Sequence, residues 1–536
     1  MVADPNNGTE SRLIAFLSNP ASYEHRPSDV RVLQTHASIV AIAGPFVFKV
    51  KKPVNFGFLD FSTLDRRHHF CNEEVRLNRR LCAKIYEGVV PIYQDGEHLT
   101  FDAVPNVEPA EYAVKMRHLA EAGFLDALIR ADSVPSGAID RIAARLQTFY
   151  TAQSPTEDVR MWGSVDRIAI SIDENFDQTR AFRGREIPAV IFDHLRWYND
   201  HFLSSKHDQF ERRLREQRIL NCHGDLRAEH IHFDGDDICI YDCIEFNERF
   251  RFIDVASDIA FLAMDLRNLG RSDLASELVL ELTSRLDDPL LATMLPFYGS
   301  YRAFVRGKVE LMKSTEEEVP DVDRSKSRNR AEDFFSLSMD YSVTGGSSAI
   351  IAFMGRVGAG KSTVAQRMSD VLGWQRLSSD WTRKKLSGID PFEHASETHP
   401  EVYGEEVTAR VYGALAEQAI AASRSPARRS SLIDATFSKR LQRDALRRAL
   451  EHDDARLYFV ETIVSDEAAK ARLRKRESDT GVVSDARIGD FDALNARYEP
   501  PAPDEVDIIR IRTDDKSIDE TVSAVLRDVS RRGTEL

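Results

Sequence analysis

The sequence predicts two consecutive domains, an α+β domain followed by an α/β domain with a parallel sheet. The length of 536 residues exceeds what one hydrophobic core usually organises. A glycine-rich turn, GRVGAGKS at 355–362, lies between the apolar run SAIIAFMG and the helical run STVAQRMSDVL. A strand, a turn and a helix in this order open a parallel α/β domain. Earlier in the chain, HGDLRAEHI at 223–231 lies among short β-rich pieces and longer helical stretches.

The domain boundary is expected near Gly345 and Gly346, because a polar, charged stretch precedes this glycine pair. The predicted divisions are a first domain at 1–344, with a small lobe at about 12–105, a large lobe at about 106–313 and a linker at 314–345, and a second domain at 346–536. Within the small lobe, SIVAIAGPFVFKV at 38–50 predicts a hairpin that turns at Gly44 and Pro45.

Composition limits the function classes. A net charge of −15 argues against non-specific binding of nucleic acid by the whole surface. No apolar run approaches the length of a membrane span, so we expect no membrane partner. The five cysteines form no CxxC pair and no zinc spacing, which predicts reduced core cysteines in a cytoplasmic protein. They are Cys71, Cys82, Cys222, Cys239 and Cys243.

The turn at 355–362 fits the pattern GxxxxGK[ST]. Glycines allow backbone N–H groups to surround a phosphate, lysine reaches the terminal phosphates, and the serine hydroxyl is a ligand for Mg²⁺. The following helix adds its positive N-terminus. The sequence therefore predicts an ATP and Mg²⁺ site formed by Gly355, Gly358, Gly360, Lys361, Ser362 and Thr363.

Three further stretches follow this loop. SSDWTRKKL contains Asp380 and Arg383, LIDATF contains Asp434, and KARLRKRE places Arg472 and Arg476 one helical turn apart. With the loop, this series resembles the small P-loop kinases: the predicted-kinase family, polynucleotide 5′-hydroxyl kinases, chloramphenicol phosphotransferase and zeta-type toxins. The resemblance covers residues 348 to about 512.

This resemblance implies roles for the five residues. Asp380 would accept the proton of the acceptor hydroxyl, and Arg383 would hold an anionic group of the substrate. Arg472 and Arg476 would neutralise the transferring phosphoryl group, and Asp434 would hold Mg²⁺ through water. Alternatives stay open: Asp380 as a helix N-cap, Asp434 as a plain strand end, and the two arginines as a solvated helix face.

HGDLRAEHI and the later IYDCIEF resemble the aminoglycoside and small-molecule kinases of the protein-kinase-like fold, which carry H-G-D-x-x-x-x-N and then a strand ending in Asp. The resemblance covers about 15–313 and implies a bilobal α+β domain. Asp225 matches the catalytic Asp, and Asp242 matches the metal-binding Asp. It is nearest to the aminoglycoside-phosphotransferase-like half of bacterial fusion proteins that also carry a P-loop kinase.

The same resemblance implies a lysine and a glutamate that position the ATP phosphates. FVFKVKKP supplies Lys49, which alternates with strand phenylalanines, and NEEVRLNRRL supplies Glu74. Lys51 and Glu73 are the alternatives.

One residue departs from the family pattern, because His230 stands where Asn is expected. Asn offers Mg²⁺ a hard oxygen ligand, whereas imidazole suits softer ions such as Mn²⁺. We therefore expect His230 to be a metal ligand that permits Mn²⁺, a packed side chain, or a sign of lost transfer chemistry. For His230 and His232 together, a pair that packs or hydrogen-bonds is the plainer interpretation.

Arg302 and Arg306 lie one helical turn apart in YGSYRAFVRGKV. They form either a surface basic stripe or a wall that binds an anionic substrate.

These observations predict a bifunctional ATP-dependent kinase that phosphorylates hydroxyl groups of small molecules. Two alternatives remain. One is a polynucleotide 5′-hydroxyl kinase with a nucleic-acid-gripping first domain, favoured by the basic stretch KRLQRDALRR and disfavoured by the acidic total. The other is a P-loop kinase regulated by a non-catalytic first domain. The sequence leaves the acceptors and the oligomeric state open.

Overall fold

The computed structural model describes residues 5–317, 319–425, 427, 429–477 and 483–535. Their internal contacts define two compact units. Unit 1 comprises Met1–Ile168, Asp208–Leu269 and Ser276–Leu291, and unit 2 comprises Ala169–His207, Gly270–Ala275 and Ala292–Leu536. Unit 2 therefore includes segments that precede the glycine pair near 345, and a domain boundary at that pair stays a prediction.

Fifteen strands run through the described residues. They are β1 (Val30–Gln34), β2 (Ser38–Ala43), β3 (Phe46–Lys51), β4 (Tyr86–Asp95), β5 (His98–Thr100), β6 (Glu111–Arg117), β7 (Ile219–Asn221), β8 (Ile231–Asp234), β9 (Asp237–Ile240), β10 (Phe252–Asp254), β11 (Ala349–Met354), β12 (Gln375–Ser378), β13 (Ser431–Asp434), β14 (Arg456–Ile463) and β15 (Ile508–Arg512).

Twenty α-helices accompany them in the same described ranges. They are α1 (Pro5–Ser18), α2 (Leu64–Cys82), α3 (Leu125–Arg130), α4 (Ala138–Thr151), α5 (Glu157–Met161), α6 (Val165–Thr179), α7 (Ala189–Ser205), α8 (His207–Arg215), α9 (Val255–Asn268), α10 (Ser272–Arg285), α11 (Leu291–Lys313), α12 (Asp321–Thr344), α13 (Lys361–Leu372), α14 (Ser379–Leu386), α15 (Ala395–Thr398), α16 (Glu405–Ser423), α17 (Arg440–Ala449), α18 (Asp466–Glu477), α19 (Phe491–Ala496) and α20 (Ile518–Glu535).

Unit 1 contains a six-stranded antiparallel sheet in the order β1-β2-β3-β6-β4-β5. The predicted hairpin is confirmed: β2 pairs with β3, and Gly44 turns the chain with φ +59°. Because successive strand residues face opposite sides, Phe48 and Val50 join one core while Lys49 and Lys51 face α2. The sheet takes β6 from residues beyond 105, so it extends past the predicted end of the small lobe.

Two short ladders carry the sequence motifs of unit 1. β7 pairs with β10, and β8 pairs with β9, both antiparallel. HGDLRAEHI begins after β7 and ends in β8, and Asp242 follows β9. The ladders therefore bring Asp225 and Asp242 to one region of unit 1.

Unit 2 contains a five-stranded parallel sheet in the order β12-β13-β11-β14-β15, which confirms the predicted α/β fold. All six residues of central β11 are buried, as a parallel sheet covered on both faces requires. The glycine-rich turn links β11 to α13, so the predicted strand, turn and helix are present.

Residues 321–344, within the predicted linker, form the helix α12 of unit 2. Its first turns are polar, whereas Phe334, Phe335 and Tyr341 are buried. Because the segment begins with charged residues, the sequence analysis did not identify the apolar second half of the helix.

The prediction of five reduced cysteines is wrong for one pair. Cys82 and Cys239 form a disulfide, with Cα atoms 4.9 Å apart and a sequence separation of 157. Folding places the end of α2 beside β9, and spacing along the chain cannot reveal such a meeting. Cys71, Cys222 and Cys243 are free and buried.

Among the residues described, every helix is too short or too polar to cross a lipid bilayer. The cytoplasmic location stays a prediction.

Candidate active sites

Two lysines of β3 share one carboxylate of α2 in unit 1. Lys49 Nζ lies 2.9 Å from Glu74 Oε1 and 2.9 Å from Asp242 Oδ1. Lys51 Nζ donates to Glu74 Oε2 at 2.7 Å and also to Glu245. The predicted pair of Lys49 and Glu74 is thus brought together beside Asp242, and the alternative Lys51 belongs to the same cluster.

This cluster keeps its lysines charged. Burial by itself would lower the pKa of Lys49, but Asp242 and Glu74 raise that pKa well above its ordinary value. Burial would raise the pKa of Glu74, yet Lys49 and Lys51 hold it below its usual range. Glu73 pairs instead with an arginine of its own helix.

The loop that carries Asp225 is anchored by a buried carboxylate. Asp258 accepts hydrogen bonds from the backbone N–H of His223 at 3.0 Å and of Gly224 at 2.9 Å. Arg227 grips both oxygens of Asp225, with Nε at 2.9 Å and Nη2 at 2.8 Å. Asp225 can accept a hydroxyl proton once this guanidinium turns to another anion, and a phosphate is such a partner.

His230 is oriented toward Asp242. Its Nδ1 donates to the backbone oxygen of Asp225 at 2.8 Å, which leaves Nε2 3.6 Å from Asp242 Oδ2. Asp242 itself has φ +62°, a left-handed conformation that Asp tolerates better than most non-glycine residues. His232, by contrast, contacts the carbonyl oxygen of Ala120 at 3.0 Å. The structure thus separates the two histidines that the sequence grouped.

In unit 2, the glycine-rich turn leaves no room for side chains. A Cβ at Gly355 would lie 2.6 Å from the oxygen of Thr462, and one at Gly358 would lie 2.9 Å from the oxygen of Ala469. Gly360, with φ +87°, leads directly into α13. These glycines hold the turn where a phosphate can meet the helix N-terminus.

Among the described residues, no carboxylate lies within hydrogen-bonding distance of the Lys361 ammonium. Its Nζ donates to the carbonyl oxygens of Gly355 at 3.0 Å and Arg356 at 2.9 Å. Burial lowers its pKa to about 8, although Asp434 and Asp380 oppose the shift. The ammonium of Lys361 can therefore pair with the phosphate of a bound ligand.

The oxygen ligands expected for Mg²⁺ lie together. Ser362 Oγ donates to Asp434 Oδ1 at 3.2 Å, and Arg376 lies 3.4 Å from the other Asp434 oxygen. Within the described ranges, no three His, Cys, Asp or Glu side chains form a metal cage. One hydroxyl and one carboxylate fit Mg²⁺, which takes its remaining ligands from water and phosphates. Thr363 is exposed on the first turn of α13.

Asp380 is not the N-cap of its helix. Ser378 caps α14 by accepting from the N–H of Trp381 at 3.5 Å. Burial, and next the negative charge of Asp434, raise the pKa of Asp380. Arg476 faces the same cluster, where burial lowers its pKa and Asp380 opposes that shift. Asp380 and Arg476 thus lie near Lys361, as a transfer site requires.

The other predicted anion-binding arginines of unit 2 are held by protein atoms. Arg383 donates to the oxygen of Val402 at 2.7 Å and to Thr408 Oγ1 at 3.1 Å. Arg472 donates to Thr513 Oγ1 at 2.9 Å, so it braces the glycine-rich turn from behind. Substrate binding by Arg383 and phosphate binding by Arg472 stay predictions.

Arg302 and Arg306 lie on α11 within unit 2. The guanidinium of Arg302 lies 5.7 Å from the ring centre of Tyr301, and that of Arg306 lies 5.5 Å from Phe334. Arg306 also lies 3.5 Å from Glu310. These are contacts of a packed helix, and substrate binding by either arginine stays a prediction.

The basic stretch KRLQRDALRR forms α17 and is largely neutralised. Its ion pairs include Arg440 with Asp504, Arg443 with Glu505, and Arg447 with both Glu505 and Asp507. These arginines stabilise unit 2 and do not form an open phosphate-binding face.

The sequence reasoning missed four residues. Arg227 and Glu245 lie inside the quoted motifs, and their charge was the available signal. Asp258 is a carboxylate on the apolar helix α9, where a buried charge needs a structural or functional partner. A fourth residue, Lys384, is 1 % exposed and bonds Asp485 at 2.9 Å, in contrast to its exposed neighbour Lys385.

Comparison with known proteins adds family relationships. Residues 350–501 match an AAA domain family. The uncharacterised protein Rv2004c of Mycobacterium tuberculosis is 30% identical over 358 residues, covering 67% of this chain and 68% of that protein. The uncharacterised protein Mb2027c of Mycobacterium bovis matches to the same extent.

Solved structures show lower identities. A choline/ethanolamine kinase family protein from Mesorhizobium loti is 13% identical, covers 62% of this chain and 98% of its own, and has a TM-score of 0.35. A gluconokinase from Sinorhizobium meliloti is 20% identical, covers 35% of this chain and 94% of its own, and has a TM-score of 0.26. By its coverage and identity with the mycobacterial proteins, this chain belongs to the family of the uncharacterised protein Rv2004c.

Proposed function

We propose that the chain is an ATP-dependent phosphotransferase with two transfer sites, each phosphorylating a hydroxyl group of a small molecule. One observation carries the proposal. Each site gathers a partly buried lysine for the ATP phosphates, an aspartate suited to a metal ion, and a second aspartate that would receive a proton. Phosphoryl transfer needs this set and little else from the protein.

In the second site, Lys361 and the turn before it would hold the terminal phosphates, and Ser362 and Asp434 would hold Mg²⁺. The metal ion would neutralise charge on the phosphate oxygens. Asp380 accepts the proton of the acceptor hydroxyl, whose oxygen forms the bond to the γ-phosphorus while the bond between that phosphorus and ADP breaks. Its raised pKa makes Asp380 a stronger base. Arg476 stabilises the charge on the transferring group.

In the first site, Lys49 would hold the phosphates and Glu74 would position Lys49. Asp242 and His230 would hold a divalent ion, and Mn²⁺ accepts a nitrogen ligand beside an oxygen more readily than Mg²⁺ does. Asp225 accepts the acceptor proton after Arg227 exchanges its carboxylate for a phosphate oxygen.

A second candidate is a P-loop kinase regulated by a non-catalytic first site. The grip of Arg227 on both oxygens of Asp225 favours it, because a neutralised aspartate is a poor base. We do not extend the proposal to polynucleotide acceptors, since three of the four arginines of α17 already pair with carboxylates.

Mass spectrometry tests the proposal. The full-length protein is incubated with ATP, Mg²⁺ or Mn²⁺, and a metabolite extract, beside the Asp225→Asn and Asp380→Asn variants. We expect each variant to lose a different set of phosphorylated products and the double variant to lose all of them.

If Asp225→Asn loses no product, the regulatory candidate replaces ours for the first site. If the wild type makes no product with either metal ion, the proposal is wrong.

A further inference from the structure

Four phenylalanine rings form a cluster in unit 1, two of them exposed and two partly buried, which we call the phenylalanine platform: Phe56, Phe58, Phe246 and Phe250. Phe56 and Phe58 are 45% and 49% exposed. Their ring centres lie 6.1 Å apart with the planes 27° from parallel. The ring of Phe58 also lies 6.2 Å from Phe246 and 6.3 Å from Phe250. A contiguous apolar surface of this kind usually marks a binding site.

The turn that exposes two of these rings is well ordered. Asn55 pairs with Asp60, and the N–H of Phe56 donates to the oxygen of Leu59 at 2.9 Å. Gly57 adopts φ +80° at the apex, and its N–H donates to Asn55 Oδ1 at 2.8 Å. Leu59 is buried while the phenyl rings remain in water. The exposure is therefore built into the turn and does not arise from a loose chain end.

The platform starts at the phosphate-binding cluster of the first site. Its turn follows Lys51, and its second segment follows Glu245, and these two residues form a buried ion pair. Asn247 Nδ2 then donates to the backbone oxygen of Phe58 at 3.0 Å, which joins the two segments again. Both halves are thus fixed to the residues that hold Lys49 and Glu74.

The platform also borders the loop of Asp225. A Cβ at Gly224 would lie 2.8 Å from the carbonyl oxygen of Phe250. The next carbonyl, of Arg251, accepts from the N–H of Cys222 at 2.7 Å. The residue adjacent to Asp225 therefore packs directly on the backbone of the platform, so the platform and the Asp225 loop are neighbours.

The charged residues around the platform pair with one another. Their ion pairs are Asp60 with Arg66, Glu73 with Arg76, and Glu248 with Arg251. Arg249 lies over the ring of Phe250 at 5.3 Å. The surface of the platform is therefore mainly aromatic, and the paired charges around it largely cancel.

We infer that the platform binds the body of the acceptor of the first site, and that this acceptor carries an aromatic or similarly flat apolar ring besides its hydroxyl group. This inference rests on the proposed function of that site. Flat rings stack on phenylalanine in an orientation that an aliphatic chain does not share, so the platform selects among hydroxyl compounds. Its place between the Lys51–Glu245 pair and Gly224 would direct the hydroxyl toward Asp225.

Matched pairs of hydroxyl compounds test the inference. Phenyl β-glucoside is compared with methyl β-glucoside, and adenosine with ribose, on the full-length Lys361→Ala protein, which silences the second site. Binding is followed by saturation-transfer NMR with ADP and Mg²⁺ or Mn²⁺, and phosphorylation by mass spectrometry with ATP. We expect the aromatic members to bind and the aliphatic members not to bind.

Substitutions assign the effect to the platform. Phe58→Ala should weaken binding of the aromatic member about tenfold, in line with the loss of one stacking partner. Phe58→Tyr should retain it. Leu33→Ala, which removes a side chain of similar exposure (46%) from β1, should change nothing.

Several results would overturn the inference: no aromatic member binds, the aliphatic members bind as well, or Phe58→Ala leaves binding unchanged. A dimer that dissociates on Phe58→Ala, detected by light scattering, would assign the platform to a second copy of the chain and also overturn it. Nucleotide titration distinguishes a failure of the proposed function from a failure of the inference about the platform. If the first site takes up no ATP, the proposed function fails there, whereas ATP uptake without a preference for rings overturns the platform alone.

Discussion

Lys49 and Lys361 have the same expected task, to hold the phosphates of ATP, but their surroundings are opposite. Lys49 contacts two carboxylates at 2.9 Å each, and its pKa is raised well above normal. Lys361 bonds to two backbone carbonyls, and burial lowers its pKa to about 8. The first site keeps a permanent charge inside a network of its own. In the second site, the phosphate of the ligand would provide the negative charge that pairs with Lys361.

The contrast shows two ways to prepare a phosphate site. In the first, we expect ATP to displace part of an internal ion-pair network, so binding would replace contacts that already exist. In the second, ATP would supply the anion that pairs with Lys361. The aspartates follow the same division, since Arg227 bonds both oxygens of Asp225, while Asp380 is partly buried near the carboxylate of Asp434.

The largest effect is expected from Asp380. Asp380→Asn should lower phosphoryl transfer at the second site by about 10²–10⁴-fold while ATP affinity changes little, because a base acts in the transfer step. Rapid-mixing kinetics and nucleotide titration measure the two quantities. Asp370→Asn, on the exposed side of α13, is the control. A collapse of ATP affinity in Asp380→Asn would show that this residue is structural.

Lys361→Ala should come next. It removes the charge nearest the terminal phosphates, and losing one such donor costs about 10²–10³-fold in turnover. Lys385→Ala, at an exposed position of α14, is the matched control. If Lys361→Ala still forms the products of the second site at the wild-type rate, Lys361 does not bind the phosphates. The comparison with Lys49 would then fail.

The pH dependence should separate the two sites. Lys361 is charged below its pKa of about 8 and loses its proton above it, so ATP affinity at the second site should fall as pH rises from about 8. The fall should be about tenfold per pH unit at most, and ATP binding near this pH should take up a proton. Lys49, with its raised pKa, predicts no such fall at the first site.

Calorimetry in buffers of different ionisation enthalpy measures both the affinity and the proton uptake. Lys361→Arg should flatten the profile, because a guanidinium stays charged. Equal pH profiles for wild type and Lys361→Arg would contradict the prediction.

The smallest effect is expected from His230. His230→Asn should shift metal preference of the first site from Mn²⁺ toward Mg²⁺, because an amide oxygen replaces a ring nitrogen beside Asp242. ATP titration with each ion, in both forms, measures the ranking. His232→Asn controls for loss of a packed imidazole. An unchanged ranking in His230→Asn would show that the ring is not a ligand.

Much of both sites could be predicted from the sequence, because the motifs are local. The residues of GRVGAGKS form the turn within one short segment. HGDLRAEHI likewise fixes the sequence separation of Asp225 and His230. Residues that act through the fold could not be predicted. The sharing of Glu74 between Lys49 and Lys51 depends on how α2 packs on β3. Asp258 supports the Asp225 loop from a helix that follows it in the chain.

Two other features escaped prediction for the same reason. The Cys82–Cys239 link depends on a meeting of α2 and β9, which are distant in sequence. Arg472 and Arg476 occupy the same predicted helix face, yet one contacts Thr513 and the other lies near Asp380, and this difference depends on tertiary packing.

Helix α12 has a consequence for the autonomy of the P-loop region. Trp374 Nε1 donates to Asp340 Oδ1 of this helix at 2.6 Å, and Ser336 Oγ donates to the carbonyl oxygen of Leu372 at 3.0 Å. The C-terminal helix α20 packs on both α12 and α7. A gene fragment that starts after the glycine pair would produce a protein with these apolar faces uncovered. We therefore expect the P-loop region to fold poorly when it is expressed without the helices of unit 2 that precede the glycine pair.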